Sequence, residues 1–134
     1  MSKVWFPGVA LGALALFAIA TSSASAGILD GRWHHGTWTD DNTGHCGPLR
    51  GTFRERCDGN YRVVFSGRFF AVLPFRYSVT LDVVGRKGDT VLLAGESHLP
   101  LFGTFTYRAS ATACRFVADY SSCRYQGRFV LNRE

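Results

Sequence analysis

Tyr61-Arg62-Val63-Val64-Phe65-Ser66-Gly67-Arg68-Phe69 is the stretch that decides the fold. Its odd-numbered positions are aromatic, β-branched or glycine, and its even-numbered positions are mostly polar. The same alternation recurs at residues 75–83, 105–111 and 125–131. A period of two with one apolar face is typical of half-buried antiparallel strands. The sequence therefore predicts an all-β domain.

Turn residues separate these runs at regular intervals. Asp58-Gly59-Asn60 is typical of a hairpin, and residues 85–89 separate another pair of runs. Pro48, Pro74 and Pro100 each precede a run, where proline is tolerated. Eight strands can pack as a sandwich or close into an antiparallel up-and-down β-barrel, and we favour the barrel because closure removes exposed edges. The pattern places the eight strands at about 31–39, 49–56, 61–69, 75–84, 90–96, 103–112, 114–119 and 123–131.

The first 26 residues have a different composition. Lys3 gives a short positive segment, residues 4–20 are uncharged and largely apolar, and Ala24-Ser25-Ala26 forms a small-x-small cleavage site. This pattern predicts a cleavable signal peptide at residues 1–26 and one secreted, periplasmic or otherwise extracytoplasmic domain at residues 27–134. An uncleaved membrane anchor is the alternative, although the apolar run is short of the roughly 20 residues of a bilayer span. No membrane span is predicted in the mature chain.

Four cysteines lie in the predicted domain, and an even number in a short exported chain indicates disulfide bonds. A metal site is the alternative, but the spacing contains no Cys-x-x-Cys pair. Three pairings are possible. Alternate loops of an up-and-down barrel lie at opposite ends, and an eight-residue strand spans about 26 Å, beyond the reach of a disulfide. We therefore favour Cys46–Cys123 at one end and Cys57–Cys114 at the other.

The segment Gly36-Thr37-Trp38-Thr39-Asp40-Asp41 resembles the Gly-x-Trp first strand of calycin-type barrels, the group of avidin and the lipocalins. The resemblance covers this strand and the strand count, and it implies that Trp38 packs at the closed end of a barrel or lines its pocket. The C-terminal helix of lipocalins and the further pocket tryptophans of avidin are missing, so neither lipid nor biotin specificity is implied. Residues 44–49 and 125–129 also resemble Gly-His-x-Gly-Pro-Leu and Tyr-x-Gly-Arg-Phe motifs of small secreted bacterial proteins, which imply no activity.

Large side chains dominate the inward face of the predicted barrel. Because an eight-stranded barrel can be filled or can hold one small ligand, we favour a filled core and keep an aromatic pocket, open at one end, as the alternative. The candidate ligand-binding residues are Trp38, Phe69, Tyr77, Tyr107, Tyr125 and Phe129. The whole predicted lining is Phe53, Tyr61, Phe65, Phe69, Phe75, Tyr77, Leu81, Phe105, Tyr107, Phe116, Tyr120, Tyr125 and Phe129.

Two polar features are further candidates for binding. Asp41, His45 and His98 fall in loops predicted at one end of the barrel, where they form a candidate loop cluster for a divalent ion or a polar ligand. We favour the alternative, in which each histidine only orders its own loop, and predict no metal site because the spacing is not distinctive. The chain has a net charge of +5, and arginines on the polar strand faces form either a solvated wall or a surface for an anionic cell-surface polymer. These arginines are Arg62, Arg68, Arg76, Arg108, Arg124 and Arg128.

The sequence contains no catalytic motif, no cofactor-binding motif and no specific nucleic-acid motif. We therefore expect a secreted binding or structural β-barrel module that is not an enzyme, has no cofactor, and uses its loops or its arginine face for contact. The alternative is a calycin-like carrier of a small hydrophobic or aromatic ligand in the barrel interior. A small secreted hydrolase or inhibitor ranks third.

Overall fold

The computed structural model of the chain describes residues 27–69 and 72–133, and the predicted signal peptide lies outside them. Within the described residues no helix is long and apolar enough to cross a membrane. The strands are β1 (Gly31–Trp33), β2 (His35–Asp40), β3 (Cys46–Glu55), β4 (Tyr61–Phe69), β5 (Leu73–Lys87), β6 (Thr90–Leu99), β7 (Gly103–Ala111), β8 (Arg115–Ser121) and β9 (Gln126–Asn132).

Strands β2 to β9 form a closed antiparallel barrel. Each strand pairs with the next one along the chain, and β9 returns to pair with β2. The short strand β1 is an addition that pairs with the far end of β3. The all-β, eight-stranded, up-and-down barrel predicted from the sequence is confirmed, and β4 spans the same residues, 61–69, that the alternation indicated.

The predicted first strand, 31–39, is divided in the structure. Trp33 pairs with Gly51, whereas Trp38 pairs with Gly47, so the register against β3 shifts by one residue between them. Positions 33 and 38 differ by an odd number and would face opposite sides of a regular strand. The shift lets both indole rings enter the barrel, where each is almost completely buried.

Trp33 closes one end of the barrel. Its indole Nε1 donates a hydrogen bond to the carbonyl of Leu29 (3.0 Å), and the guanidinium of Arg133 lies 4.2 Å from the ring centroid. This stacking is a cation–π contact. Arg133 also donates hydrogen bonds to the backbone carbonyls of Ile28, Asp30 and Ala113. The two ends of the described chain are thereby joined across the closed end of the barrel.

The predicted interior is confirmed. All of its side chains belong to the buried core or pack against it. Toward the closed end, Phe53 meets Phe116 edge-on with ring centroids 5.1 Å apart, and nearer the middle of the barrel Phe65 meets Phe129 in the same way at 5.0 Å. Edge-to-face contacts of this kind stabilise packed aromatic cores.

The predicted disulfide bonds are not present in the structure. All four cysteines lie in the described residues, and each is exposed and unbonded. The strand directions do place Cys46 and Cys123 at one end and Cys57 and Cys114 at the other.

Two turns at the same end of a barrel can still lie on opposite sides of it. The turn with Cys57 joins β3 to β4, and the turn with Cys114 joins β7 to β8, on the opposite side of the eight-stranded barrel. Cys46 and Cys123 lie beside loops that do touch, since the side chain of Asn42 donates a hydrogen bond to the carbonyl of Arg124 (2.9 Å), but the two cysteines are not bonded.

We expect Trp33→Ala to lower the free energy of unfolding by about 3–5 kcal/mol, because it leaves a large cavity at the closed end of the barrel. Urea denaturation followed by circular dichroism measures the change. Val84→Ala is the control, since the Val84 side chain is 63% exposed on β5 and its loss should change stability by no more than about 0.5 kcal/mol. Equal effects of the two substitutions would contradict the role of Trp33.

Candidate functional site

The end of the barrel opposite Trp33 contains a cavity of about 570 Å³. Its wall comes from the last residues of β2, from the loop that joins β2 to β3, from the adjoining ends of β4 and β5, and from the strand ends and loops that join β6 to β7 and β8 to β9. Among the described residues nine aromatic side chains line it: Trp38, Phe69, Phe75, Tyr77, Phe102, Phe105, Tyr120, Tyr125 and Phe129. The other lining residues are Asp40, Thr43, His45, Leu73, Pro74, Arg76, Leu99 and Pro100. The core is therefore filled only in the closed half of the barrel, whereas the sequence favoured a filled core throughout.

Five of the six candidate ligand-binding residues line this cavity, and they are Trp38, Phe69, Tyr77, Tyr125 and Phe129. The sixth, Tyr107, is only 2% exposed and does not line the cavity. Its hydroxyl donates a hydrogen bond to the hydroxyl of Tyr77 (2.9 Å) and lies 3.1 Å from Oγ of Ser97. Tyr107 therefore positions a lining residue instead of lining the cavity itself.

Two of the lining rings have their polar atoms satisfied by the protein backbone. The indole Nε1 of Trp38 donates to the carbonyl of Arg68 (2.9 Å), and the hydroxyl of Tyr120 donates to the carbonyl of Thr39 (2.7 Å). These hydrogen bonds fix the orientation of both rings. Trp38 and Tyr120 therefore present the apolar surface of their rings to a ligand.

Glycines make room for these two rings. A Cβ atom on Gly47 would lie 2.6 Å from Nε1 of Trp38, and one on Gly127 would lie 2.5 Å from the hydroxyl oxygen of Tyr120. Both distances are too short for any side chain. Glycine at these positions lets each ring lie against the neighbouring strand. The alternation of the sequence placed Gly127 on the inward face, but it did not show that a ring covers it.

Three tyrosine hydroxyls in and beneath the cavity are neutral at physiological pH. Burial raises the pKa of Tyr77, of Tyr107 and of Tyr120 above the ordinary value near 10. For Tyr120, the nearby negative charge of Asp40 raises the pKa further. The tyrosines therefore act at this site as hydrogen-bonding groups and not as anions.

Asp40 is the buried acidic residue of the cavity wall, with only 8% of its surface exposed. Its Oδ2 accepts a hydrogen bond from the hydroxyl of Thr43 (2.7 Å), and its backbone N–H donates to the carbonyl of His45 (2.8 Å). Its Oδ1 is buried, and no described residue donates a hydrogen bond to it. The sequence points to the neighbouring Asp41 instead, because position in a loop does not reveal which carboxylate turns inward.

The predicted loop cluster does not form. His45 lines the cavity, but Asp41 lies in a separate surface depression together with Arg108, Asp119 and Arg128. His98 is exposed, and its Nδ1 lies 3.2 Å from Oγ1 of Thr104. Residues 27–69 and 72–133 contain no group of three or more histidine, cysteine or acidic side chains able to hold a metal ion.

The six arginines proposed as an anion-binding surface are all exposed, but they do not share one wall. Arg62 and Arg68 lie on β4, whereas Arg108 lies on β7 and Arg128 on β9, across the barrel. Arg128 forms an ion pair with Asp119, with Nε 3.0 Å from Oδ1. An extended anionic polymer would therefore not meet all six arginines on one surface.

Comparison with models of protein families and with curated proteins gives no match. Among solved structures, the chain is similar to a redesigned β barrel, mFAP1, bound to DFHBI, with a TM-score of 0.60 and 19% identity over 81% of this chain and 97% of that one. It is also similar to the redesigned β barrel b11L5F_LGL (TM-score 0.59, 18% identity, 81% and 94% covered). A third is the redesigned β barrel mFAP0 bound to DFHBI (TM-score 0.58, 16% identity, 79% and 99% covered). These similarities establish the barrel fold.

We expect the free energy of unfolding to fall as the pH rises above about 10, because four tyrosines whose pKa is raised by burial, Tyr61, Tyr77, Tyr107 and Tyr120, hold their protons in the folded state and lose them in the unfolded state. These tyrosines contribute fully to stability at a pH below their pKa in the unfolded state. The contribution is lost as the pH rises toward their higher pKa in the folded state. Urea denaturation at pH 8, 10 and 11 measures this dependence. Tyr77→Phe should reduce the slope between pH 10 and 11. A slope that is unchanged in this variant would contradict the burial of the Tyr77 hydroxyl.

Proposed function

We propose that this protein is an exported, non-enzymatic binding protein that holds one small aromatic or hydrophobic ligand in the open end of its barrel. The observation that carries the proposal is the cavity of about 570 Å³, to whose wall the described part of the chain contributes nine aromatic side chains. Its volume falls within the range of about 300–1,000 Å³ that is typical of small-molecule sites. The proposal therefore ranks the carrier function above the filled structural module that the sequence favoured.

Stacked pairs of rings in the wall support an aromatic occupant. Phe69 and Phe75 stack with centroids 4.5 Å apart and planes inclined by 27°, and Phe105 and Tyr125 stack at 6.0 Å and 13°. Each pair presents flat or edge-on ring surface, with which a planar ligand could make offset-stacked or edge-to-face contacts.

Phe102 connects the two stacked pairs at the mouth of the cavity. Its ring centroid lies 6.1 Å from that of Phe69 and 5.9 Å from that of Tyr125. It belongs to the β6–β7 loop, where the preceding Leu101 has a φ of 74°, an uncommon conformation for a side chain larger than glycine. Because Phe102 is 39% exposed, we propose that its ring covers the ligand and moves when the ligand enters or leaves.

Two further observations support parts of the proposal. The redesigned barrels mFAP1 and mFAP0 have been solved bound to DFHBI, which supports the idea that a barrel of this architecture can hold a small molecule. The composition of residues 1–26 supports export, since it combines a positive start, an apolar run and a small-residue cleavage site.

The neutral fluorescent probe N-phenyl-1-naphthylamine tests the proposal. We expect its fluorescence to rise on binding and to saturate at one probe per protein molecule. Leu99→Glu should weaken binding about tenfold or more, because it places an unpaired charge in the apolar cavity wall.

Val84→Glu is the matched control, since it introduces the same charge on the outer face of β5, where the side chain is exposed. It should leave the affinity unchanged. Fluorescence that never saturates would contradict the proposed function, as would two variants with the same affinity.

A further inference from the structure

Asp40 is buried in the cavity wall and has one carboxylate oxygen that accepts no hydrogen bond from the described residues. It is the last residue of β2, it lines the cavity, and it is only 8% exposed. The hydroxyl of Thr43 satisfies Oδ2 at 2.7 Å. The second oxygen, Oδ1, is buried and receives no hydrogen bond from any described residue.

A buried carboxylate oxygen without a donor is unfavourable, because it has lost its bonds to water and gained none in return. A positive partner is available in principle, since Arg76 lines the same cavity. The structure records no ion pair between it and Asp40; instead the Arg76 side chain is exposed. The acceptor on Asp40 is thus left for a group from outside the described residues.

The strand geometry sets Asp40 beside an aromatic surface. Asp40 and Trp38 are two residues apart on β2, so both side chains point into the barrel. The cross-strand partner of Asp40 is Gly127, which has no side chain to cover the carboxylate. A cation bound to Asp40 would therefore lie next to Trp38 and Tyr120, whose rings can attract it by cation–π interaction.

We infer that the ligand of this cavity is an aromatic amine, which binds with its protonated nitrogen on Asp40 and its ring among the aromatic side chains. This inference rests on the proposed function and adds the charge of the ligand to it. The net charge of the protein is +5, which attracts anions at long range. A preference for a cation must therefore come from Asp40 itself.

Three naphthalene probes of similar size and different charge test the inference by calorimetry at pH 7. They are 2-naphthylmethylamine, which is cationic, 2-naphthylmethanol, which is neutral, and 2-naphthoate, which is anionic. We expect the amine to bind about tenfold or more tightly than the alcohol, as is usual for a hydrogen bond between charged groups. We expect 2-naphthoate to bind most weakly.

Asp40→Asn should lower the affinity of the amine to that of the alcohol and leave the affinity of the alcohol unchanged. Unchanged binding of the alcohol also shows that the variant is folded. Asp41→Asn is the matched control, since it makes the same change of charge at the adjacent, exposed residue outside the cavity. It should keep the preference for the amine.

Several results would overturn the inference and leave the proposed function standing. One is equal affinity of the wild-type protein for the amine and the alcohol, a comparison that does not depend on any variant folding. Another is an equal loss of the preference for the amine in Asp40→Asn and Asp41→Asn, which would attribute that preference to long-range charge. A third is tightest binding of 2-naphthoate, which would assign the charge preference to Arg76. If the neutral alcohol and the other probes all fail to bind, the proposed function is contradicted together with the inference.

Discussion

The pairing of β2 with β9 is the interaction on which the rest of the structure depends. Six residue pairs, from His35–Asn132 to Asp40–Gly127, join the first long strand to the last. Without them the sheet would have two exposed edges, and its apolar face would have nothing to enclose. With them the sheet closes, and the alternation of each strand separates an aromatic interior from a polar exterior.

The two ends of the closed barrel are built differently. At one end Trp33 fills the opening, and Arg133 holds it by stacking on the ring and by binding backbone carbonyls. At the other end the rings of Trp38 and Tyr120 lie against strands that carry glycine at the points of contact. The rings of Trp38 and Tyr120 lie along the wall and leave space between them, whereas Trp33 fills the opening at its end. The cavity follows from this difference.

The cavity combines many apolar contacts with few polar ones. Its aromatic rings supply surface for binding, and they would accept ligands of different shape. The hydroxyl of Tyr77, oriented by Tyr107, and the carboxylate of Asp40 stand at fixed positions in this surface. A few polar groups placed in an apolar site are what give such a site orientation and selectivity. The chemical identity of the ligand is therefore decided by a small part of the wall.

The sequence by itself determined the strands, because the alternation of apolar and polar residues is local and needs no knowledge of neighbours. Residues 61–69 are a strand in the pattern and in the structure, and the predicted interior side chains all belong to the buried core or pack against it. The sequence also indicated eight of the residues that line the cavity, five of them as ligand-binding candidates. It selected Gly36-Thr37-Trp38 as the Gly-x-Trp segment, although Gly31-Arg32-Trp33 has the same form and closes the barrel.

Tertiary structure alone decided the features that depend on distance across the barrel. The register shift between Trp33 and Trp38 is set by the pairing with β3, and no periodicity within the strand reveals it. The same holds for the cysteines, since the members of each predicted pair share an end of the barrel but are not bonded to each other. It also holds for Asp40, whose burial results from the closure of β2 onto β9. The local pattern determines which face of the sheet a side chain points to. Its contacts across the interior are determined only when the barrel closes.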